Sequence, residues 1–428
     1  MMKLVKFITF GCKVNQYETE VLREKLSEIG YISAKTGETP QLAVINSCAV
    51  TAEGERKMRQ TLRRIKKDYP EITVLLMGCV SQAFPESAKD LPADIILGNT
   101  NVLDAVEAIK EYNGSRIIRV NAHEKGEEFN TPSICGMYGR TRAYIKIQDG
   151  CDRFCTYCII PYARGRVRSK RVKDIMREAE TLAEAGYKEI VLTGINLTAF
   201  GKDTGESFAD AVSAAAAPEG IERVRLGSLE PDHMTDELLD KLSAIPKLCP
   251  HFHLSLQSGC DATLKRMNRH YDFAFYKDLV ERIRQRFTNT AFTTDVMVGF
   301  AGESEEEFET SLNNVVSVGF SKVHVFPYSI RQGTYAEKLS GHIPQSVKES
   351  RSKIMIEATE KCRDEFLKTQ LDEVYPVLFE QGKRGFFEGS TPNNCRVKVQ
   401  SNENLCGKII NVKITEMKDG VLLGDIVN

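Results

Sequence analysis

The chain has 428 residues, a formal net charge of -1 and a hydrophobic content of 42%. This length favours two or three domains, and the composition excludes a largely disordered protein. The near-zero charge excludes nucleic-acid binding through bulk positive charge, so any RNA contact must use local basic patches. No segment approaches the roughly 18 apolar residues of a membrane span, and residues 1–10 lack the apolar stretch and cleavage pattern of a signal peptide. We therefore expect a cytoplasmic protein without membrane contact.

Residues 1–121 alternate short apolar runs with amphipathic stretches, which is typical of β-α units on a parallel sheet. The three apolar runs lead to Cys12, Cys48 and Cys79. Ligands collect beyond the carboxyl ends of strands in open α/β sheets, so this pattern would bring three thiols to one crevice. Three buried core cysteines are the alternative interpretation, and the residues alone leave both open.

The rest of the chain divides by pattern into three further parts. Residues 122–140 have no steady period and predict a linker. Residues 141–370 contain six apolar runs separated by helical patterns, which is too few strands for a complete eight-fold barrel. Residues 371–428 contain short strand-like runs broken by Gly and Asn, the pattern of a small β-barrel. The predicted fold class is thus α/β, with a parallel-sheet domain, a partial (β/α)6 barrel and a carboxy-terminal β-barrel.

After the first predicted barrel strand, Cys151, Cys155 and Cys158 follow a Cx3Cx2C spacing. Such a loop can bind three irons of a cubane and leave the fourth iron open to a substrate or cofactor. A structural zinc site needs four ligands, and no fourth Cys or His follows at a suitable spacing. A CxxC redox pair would leave Cys151 and the barrel repeats unexplained. The spacing therefore favours an iron-sulfur cluster with an open iron.

Further candidate residues lie at or near the ends of the predicted barrel strands, where a barrel has its active face. Gly194 ends the second strand, where a glycine lets a cofactor approach the backbone; a turn glycine without a ligand explains it equally well. Ser228, Gln257 and Asp295 are the polar candidates at the later strands.

Two local basic patches are candidates for RNA binding, and a solvated surface is the alternative for the patch after the Cx3Cx2C motif. One follows the Cx3Cx2C motif, and the other is a basic-aromatic tip in the carboxy-terminal module that could stack on bases. Their residues are Arg164, Arg166 and Arg168 in the first patch, and Lys383, Arg384 and Phe386 in the second.

The chain resembles the methylthiotransferase branch of the radical S-adenosylmethionine (SAM) enzymes over almost its whole length. The resemblance rests on the Cx3Cx2C motif and on two segments, Gly11-Cys12-Lys13-Val14-Asn15-Gln16 and Pro161-Tyr162-Ala163-Arg164-Gly165-Arg166-Val167-Arg168. These segments are most similar to the branch that acts on threonylcarbamoyladenosine in tRNA. A serine is common in the family where this chain has Gly227.

The resemblance implies an amino-terminal cluster domain, a radical SAM partial barrel and a carboxy-terminal TRAM module. It implies two 4Fe-4S clusters, one on Cys12, Cys48 and Cys79 and one on Cys151, Cys155 and Cys158. SAM would bind the open iron of the second cluster and yield a deoxyadenosyl radical that removes hydrogen from C2 of the modified adenine at position 37. The first cluster would supply a methylated sulfur.

The same resemblance implies contacts and partners. SAM would be contacted by Tyr157, Gly194, Ser228, Gln257 and Asp295, although Tyr157 could instead only pack the loop. The implied partners are the anticodon loop of tRNA, a reductant such as flavodoxin or ferredoxin, and a sulfur donor. The three arginines after Cys158 would hold RNA phosphates.

Alternative substrates and one alternative class remain from the sequence. Isopentenyl-adenosine or an aspartate of a ribosomal protein could replace threonylcarbamoyladenosine as the substrate of a methylthiotransferase. A non-catalytic iron-sulfur or zinc RNA-binding protein is the alternative from another class.

Overall fold

The amino-terminal unit of the computed structural model, which describes residues 3–427, is a parallel sheet with helices on both faces. In chain order its elements are β1 (Lys3–Thr9), α1 (Lys13–Glu28), β2 (Tyr31–Ser33), β3 (Leu42–Ser47), α2 (Ala52–Asp68), β4 (Thr73–Gly78), α3 (Cys79–Ala83), α4 (Pro85–Lys89), β5 (Ile95–Leu97), α5 (Asp104–Glu111) and β6 (Ile117–Arg119). The strand order is β2-β1-β3-β4-β5-β6, and every pair is parallel. All carboxyl ends therefore lie at one edge of the sheet.

The second unit is an open barrel of parallel strands. Its elements are β7 (Arg142–Lys146), β8 (Gln148–Asp149), α6 (Ile160–Arg164), β9 (Arg168–Ser169), α7 (Val172–Glu184), β10 (Glu189–Thr193), α8 (Phe208–Ala216), β11 (Arg223–Leu226), β12 (Ser228–Leu229), α9 (Asp236–Ser243), β13 (His251–Leu254), α10 (Asp261–Arg266), α11 (Phe273–Arg286), β14 (Ala291–Val298), α12 (Glu305–Val318), β15 (Lys322–Pro327) and α13 (Gln345–Lys368).

The barrel strands pair in the order β7-β10-β11 and β12-β13-β14-β15. Only Gly227 separates β11 from β12, so the two sheets continue one another and give six strand positions. A Cβ at Gly227 would lie 3.1 Å from the carbonyl oxygen of Leu192, which explains a glycine at this crowded point. The predicted partial barrel is confirmed.

The third unit is a closed five-stranded barrel, which confirms the predicted small β-barrel. Its strands are β16 (Val374–Lys383), β17 (Phe386–Ser390), β18 (Arg396–Gln400), β19 (Ile409–Lys418) and β20 (Val421–Ile426), closed in the order β16-β17-β18-β20-β19. Closure leaves no unpaired sheet edge exposed.

The small barrel packs against the amino ends of the radical-barrel strands. Arg223, the first residue of β11, donates to the carbonyl oxygen of Ser390 at 3.1 Å. Arg142, the first residue of β7, is ion-paired with Glu380 at 3.0 Å. The end of the large barrel opposite the Cx3Cx2C loop is thus covered by the third unit.

The first two units share a hydrophobic core. Tyr17 and Leu22 of α1 pack in one cluster with Ile145 of β7, while Ile159 and Ala163 join the core beside α3. A fully buried aliphatic or aromatic side chain contributes roughly 1.5–3 kcal/mol. The relative position of the two units is therefore fixed by packing. None of the helices within residues 3–427 combines the length and apolar character needed to cross a bilayer.

Candidate functional site

The cysteines of the amino-terminal unit lie just beyond the carboxyl ends of three neighbouring strands. Cys12 precedes α1 and is exposed, Cys48 follows β3 and is half-buried, and Cys79 begins α3 and is buried. Gly11 has a φ of +94°, and a Cβ there would lie 2.8 Å from the Sγ of Cys48. The first two loops therefore touch, and only glycine allows this approach.

The thiols of this amino-terminal trio influence one another electrostatically. Burial raises the pKa of Cys79 to about 12; Arg164 opposes this rise, and the nearby Cys48 and Cys12 thiols add to it. Burial also raises the pKa of Cys48, and Cys12 contributes. Thiols with a raised pKa become ionised when a metal replaces their protons. The soft sulfur donors fit an iron-sulfur cluster.

The Cx3Cx2C loop is folded tightly between β8 and α6. Gly150 has a φ of +72°, and a Cβ there would lie 1.8 Å from the carbonyl oxygen of Arg166, so no other residue fits. Backbone hydrogen bonds run from Cys151 to Gly165 (3.0 Å) and from Cys158 to Cys155 (2.9 Å). The loop is pinned at its start and across its last turn.

Three donors from outside the cysteine positions reach the sulfurs of this loop. The Arg269 Nη1 lies 3.2 Å from the Sγ of Cys155, and the Asn196 Nδ2 lies 3.8 Å from the Sγ of Cys151. The backbone N–H of Arg153 also donates to Cys151, at 3.5 Å. Hydrogen bonds of this kind orient thiolate ligands and tune a cluster. Arg269 and Asn196 carry no spacing signal in the sequence, which is why they were not predicted.

Neither trio forms a site for a single metal ion. Within residues 3–427 no three His, Cys, Asp or Glu side chains are grouped to hold one ion. A cubane binds each thiolate to a different iron, so its ligands do not converge on one point. Both donor sets consist of three free cysteines, which fits a cubane with one iron left open.

A buried ionic network connects the two trios. Arg164 donates to Glu18 at 2.7 and 3.0 Å, to Asn15 at 2.7 Å and to Asp149 at 3.1 Å. Lys146 binds Glu18 at 2.7 Å and Asp149 at 2.6 Å. Asn15 lies one helical turn after Cys12, and Asp149 lies two residues before Cys151. The network therefore ties the loop of one trio to the loop of the other.

Two of the predicted RNA contacts need correction. Arg164 is 1% exposed and held by the network, and Arg168 is 5% exposed and paired with Glu127 at 2.6 Å. Arg164 lies inside the protein and Arg168 exposes only a small area to the groove described below, because carboxylates distant in the chain bind both guanidinium groups. Arg166 is the exception, with 61% of its side chain exposed and its guanidinium over the ring of Phe154.

Arg166 also lines a groove of about 1480 Å³ between the linker and the loop that follows Cys158. None of the six candidate ligand cysteines lines this groove, so it lies apart from both cysteine trios. The second predicted RNA patch is accessible. Lys383 and Arg384 are exposed at the turn between β16 and β17, and Phe386 is 43% exposed.

The predicted cofactor contacts occupy different environments. Tyr157 packs edge-on against Phe300, with the ring centroids 6.4 Å apart, which favours the packing interpretation. A Cβ at Gly194 would lie 2.8 Å from the Oε1 of Gln148, and this oxygen accepts from the backbone of Ile195 at 2.9 Å. The close approach of Gln148 is therefore a sufficient reason for the glycine.

Of the other three candidates, Ser228 lies on β12, Gln257 follows β13 and Asp295 lies on β14. Gln257 has a φ of +71°, and its buried Oε1 has no partner among the described residues, which leaves an acceptor for a ligand. Ser228 is exposed. Asp295 accepts from His253 at 3.3 Å; burial opposes its ionisation, but His253, His324 and Lys13 hold its pKa below the usual range. These three residues stay predictions as cofactor contacts.

Lys13, next to Cys12, faces the barrel. Burial and the charges of Arg142 and Arg225 lower the pKa of Lys13, while Cys12 and Asp295 oppose this. Lys13 is exposed to solvent, and the charged groups of the barrel that act on it belong to β7, β11 and β14. It forms no hydrogen bond or ion pair with any residue in the described part of the chain. An unpaired cation thus lies beside the amino-terminal trio.

Comparisons with known proteins agree with this architecture. Residues 145–315 match the radical SAM superfamily, and residues 4–98 match the uncharacterized protein family UPF0004. The threonylcarbamoyladenosine tRNA methylthiotransferase of Bacillus subtilis is 36% identical over 96% of this chain and 94% of its own. The tRNA-2-methylthio-N(6)-dimethylallyladenosine synthase of Acetivibrio thermocellus is 33% identical over 99% of this chain and 91% of its own.

The chain belongs to the radical SAM methylthiotransferase family. It is an enzyme, and the alternative of a non-catalytic binding protein is set aside. Membership of the radical SAM superfamily implies SAM and a 4Fe-4S cluster as cofactors. Among solved structures, the radical SAM methyltransferase TsrM from Kitasatospora setae has a TM-score of 0.54 at 15% identity, covering 76% of this chain and 72% of that chain. At that identity the likeness concerns the fold alone.

Proposed function

We propose that this methylthiotransferase converts N6-threonylcarbamoyladenosine at position 37 of tRNA into its 2-methylthio derivative, with two 4Fe-4S clusters. The observation that carries the proposal is the buried Glu18–Arg164–Asp149 network, which links two separate trios of free cysteines. A sulfur-inserting site needs a radical source and a sulfur carrier that face the same carbon. Rigid attachment of the two loops to each other meets that requirement.

Each of the two cysteine trios would hold one cluster. Cys151, Cys155 and Cys158 would hold one cluster, with Arg269 and Asn196 as hydrogen-bond donors to its thiolates. Cys12, Cys48 and Cys79 would hold the other. When bound, SAM and the clusters supply a carbon radical and a sulfur for the adenine ring. The protein orients the base, excludes water and keeps the two metal centres at a fixed separation.

The charge of Lys13 supports a substrate that carries a negative charge. The curated relatives include enzymes named for threonylcarbamoyladenosine and for dimethylallyladenosine. The threonylcarbamoyl group ends in a carboxylate, whereas the dimethylallyl group is a hydrocarbon. Lys13 is an exposed cation beside Cys12 with no partner among the described residues, and such a cation favours a carboxylate over a hydrocarbon. Lys13 therefore favours the threonylcarbamoyl substrate.

Access of tRNA follows from the two exposed basic features. Arg166 follows α6, the short helix after the radical SAM cysteines, and the tip formed by Lys383, Arg384 and Phe386 lies on the small barrel. The first would hold a phosphate of the anticodon loop and the second would stack on an unpaired base. A reductant such as flavodoxin or ferredoxin and a sulfur donor complete the reaction.

The proposal is tested with anaerobically reconstituted enzyme and two tRNA substrates, one bearing threonylcarbamoyladenosine and one bearing isopentenyladenosine. Digestion to nucleosides and mass spectrometry should detect a methylthio product from the first tRNA alone. Iron and sulfide analysis should give about eight of each per chain, which is the content of two cubanes. Product from the isopentenyl tRNA alone would assign the other substrate, and four irons would contradict the two-cluster mechanism.

A further inference from the structure

Arg164 belongs to the barrel by sequence, but its side chain binds Glu18 and Asn15 of the amino-terminal unit. It ends α6, six residues after Cys158, and is 1% exposed. Its two terminal nitrogens donate to Glu18, Asn15 and Asp149 at 2.7 to 3.2 Å. A guanidinium carries five N–H donors, and these bonds account for the terminal nitrogens. The Nε is buried and has no hydrogen-bond partner among the described residues.

A buried N–H without a partner is rare in folded proteins and indicates a missing acceptor. The candidates near Arg164 are the sulfurs of the amino-terminal trio. Helix α6 packs directly on α3, which begins with Cys79. The Asn15 Oδ1 that accepts from Arg164 also lies 3.8 Å from the Sγ of Cys12. Arg164 therefore lies next to the trio, on the side of the buried Cys79.

The electrostatic neighbours of Arg164 agree with this placement. Among the groups that raise the pKa of Arg164, Cys79 ranks ahead of Glu18 and Asp149, although burial itself acts in the opposite direction. Together with the packing of α6 on α3, this places the guanidinium near the Cys79 sulfur, although carboxylates occupy its terminal nitrogens.

We propose that the Nε–H of Arg164 donates a hydrogen bond to a sulfur of the cluster held by Cys12, Cys48 and Cys79. The inference rests on the second cluster of the proposed function and adds a positioning residue to it. Hydrogen bonds and positive charge at cluster sulfurs stabilise the more negative, reduced state. A residue of the radical SAM barrel thus raises the reduction potential of the amino-terminal cluster, so that this potential depends on the docking of the two units.

The test isolates the amino-terminal cluster in the full chain by replacing Cys151, Cys155 and Cys158 with alanine. In that background Arg164→Lys keeps the charge but removes the planar Nε–H, and Arg168→Lys is the matched control. Arg168 follows on the same segment, is also buried and shares Asp149 as an ion-pair partner at 3.5 Å. Potentiometric titration followed by electron paramagnetic resonance measures the midpoint potential of each variant.

We expect Arg164→Lys to lower the midpoint potential of the cluster and Arg168→Lys to leave it unchanged. A second measurement keeps Arg164 in place and labels the arginines with ¹⁵N. Pulsed electron paramagnetic resonance should detect a coupling between ¹⁵N and the reduced cluster, and the Arg168→Lys variant should retain this coupling. The inference is wrong if Arg164→Lys leaves the midpoint potential unchanged and the protein that keeps Arg164 shows no ¹⁵N coupling. That result would leave the two-cluster proposal intact. Absence of iron from the triple-cysteine variant overturns the two-cluster proposal itself.

Discussion

The Arg269 Nη1 donates to the Sγ of Cys155 at 3.2 Å, and the same guanidinium is ion-paired with Glu230. Glu230 also binds Arg153, within the cysteine loop, at 3.3 Å. The carboxylate thus joins an arginine beyond α10 to the loop that presents the radical SAM cysteines. The geometry of that loop depends on residues more than 70 positions away in the chain.

Arg269→Met should weaken the radical SAM cluster specifically. Loss of an outer hydrogen bond to a metal ligand costs about 10- to 100-fold in metal affinity or activity. We therefore expect a similar loss of deoxyadenosine formation and a lower iron content, with the amino-terminal cluster retained. Arg266→Met is the matched control, because Arg266 lies on the neighbouring turn and pairs with Glu307 instead of a cysteine. Equal iron retention and equal deoxyadenosine formation in the two variants would contradict this role.

The Glu18 network should make the cluster-free protein sensitive to acid. Burial opposes ionisation of Glu18, but Arg164 and Lys146 outweigh it and lower its folded-state pKa. An unfolded glutamate titrates at about 4.3, so its ion pairs stabilise the fold above that pH and are lost as the pH falls further. Removing one partner of a buried ion pair costs about 3–5 kcal/mol.

Glu18→Gln should therefore lower the urea midpoint at pH 7 and reduce its dependence on pH between 5 and 3. Glu28→Gln is the control on the same helix, because Glu28 is exposed and its pairing with Lys25 contributes little. A Glu18→Gln protein that keeps the full acid sensitivity would show that other carboxylates dominate it.

The sequence predicted the strands and the cysteine loops because both depend on local pattern. Apolar runs and the helices between them determine the three units, and Cys151, Cys155 and Cys158 lie within eight residues of one another. The direction of the arginine side chains could not be predicted in the same way. Arg164, Arg166 and Arg168 alternate in one short segment, yet two are buried and one is exposed.

Whether each of these arginines is buried or exposed depends on the position of carboxylates from other parts of the chain. Glu18 lies 146 residues before Arg164, and Glu127 lies 41 residues before Arg168. One signal was present in the sequence: Glu18 occurs on the face of α1 that also carries Val14, Tyr17 and Val21. A carboxylate within an apolar face indicates a buried cationic partner, although it does not identify which one.

Arg166→Gln should weaken tRNA binding through loss of a phosphate contact. The affinity should fall at low salt, and the slope of log affinity against log salt should decrease by about one. Arg168→Gln, in contrast, should lower stability, because it removes a positive charge that neutralises the carboxylates of Glu127 and Asp149. Filter binding of tRNA at several salt concentrations measures the first effect. An unchanged salt slope in Arg166→Gln would remove Arg166 from the RNA interface.

Phe386→Ala should reduce tRNA affinity without changing the fold of the small barrel. Stacking of a base on an exposed aromatic side chain contributes about 1–3 kcal/mol, which corresponds to roughly 5- to 150-fold in affinity. Phe275→Ala is the control, because Phe275 is similarly exposed on α11 and lies beside Arg282. If both variants bind tRNA equally well, the tip at Lys383 to Phe386 is not a stacking site.

Lys13→Gln should impair recognition of the threonylcarbamoyl group. The lysine is unpaired and lies beside Cys12, so its ammonium can hold the carboxylate of the substrate, and a hydrogen bond to a charged group contributes roughly 1.5–3 kcal/mol. We expect the KM for threonylcarbamoyl-tRNA to rise about 10- to 150-fold. Deoxyadenosine formation in the absence of tRNA should not change, since that reaction uses the other cluster. Lys13→Arg should restore much of the affinity because it restores the cation, whereas an unchanged KM in Lys13→Gln would place the substrate carboxylate elsewhere.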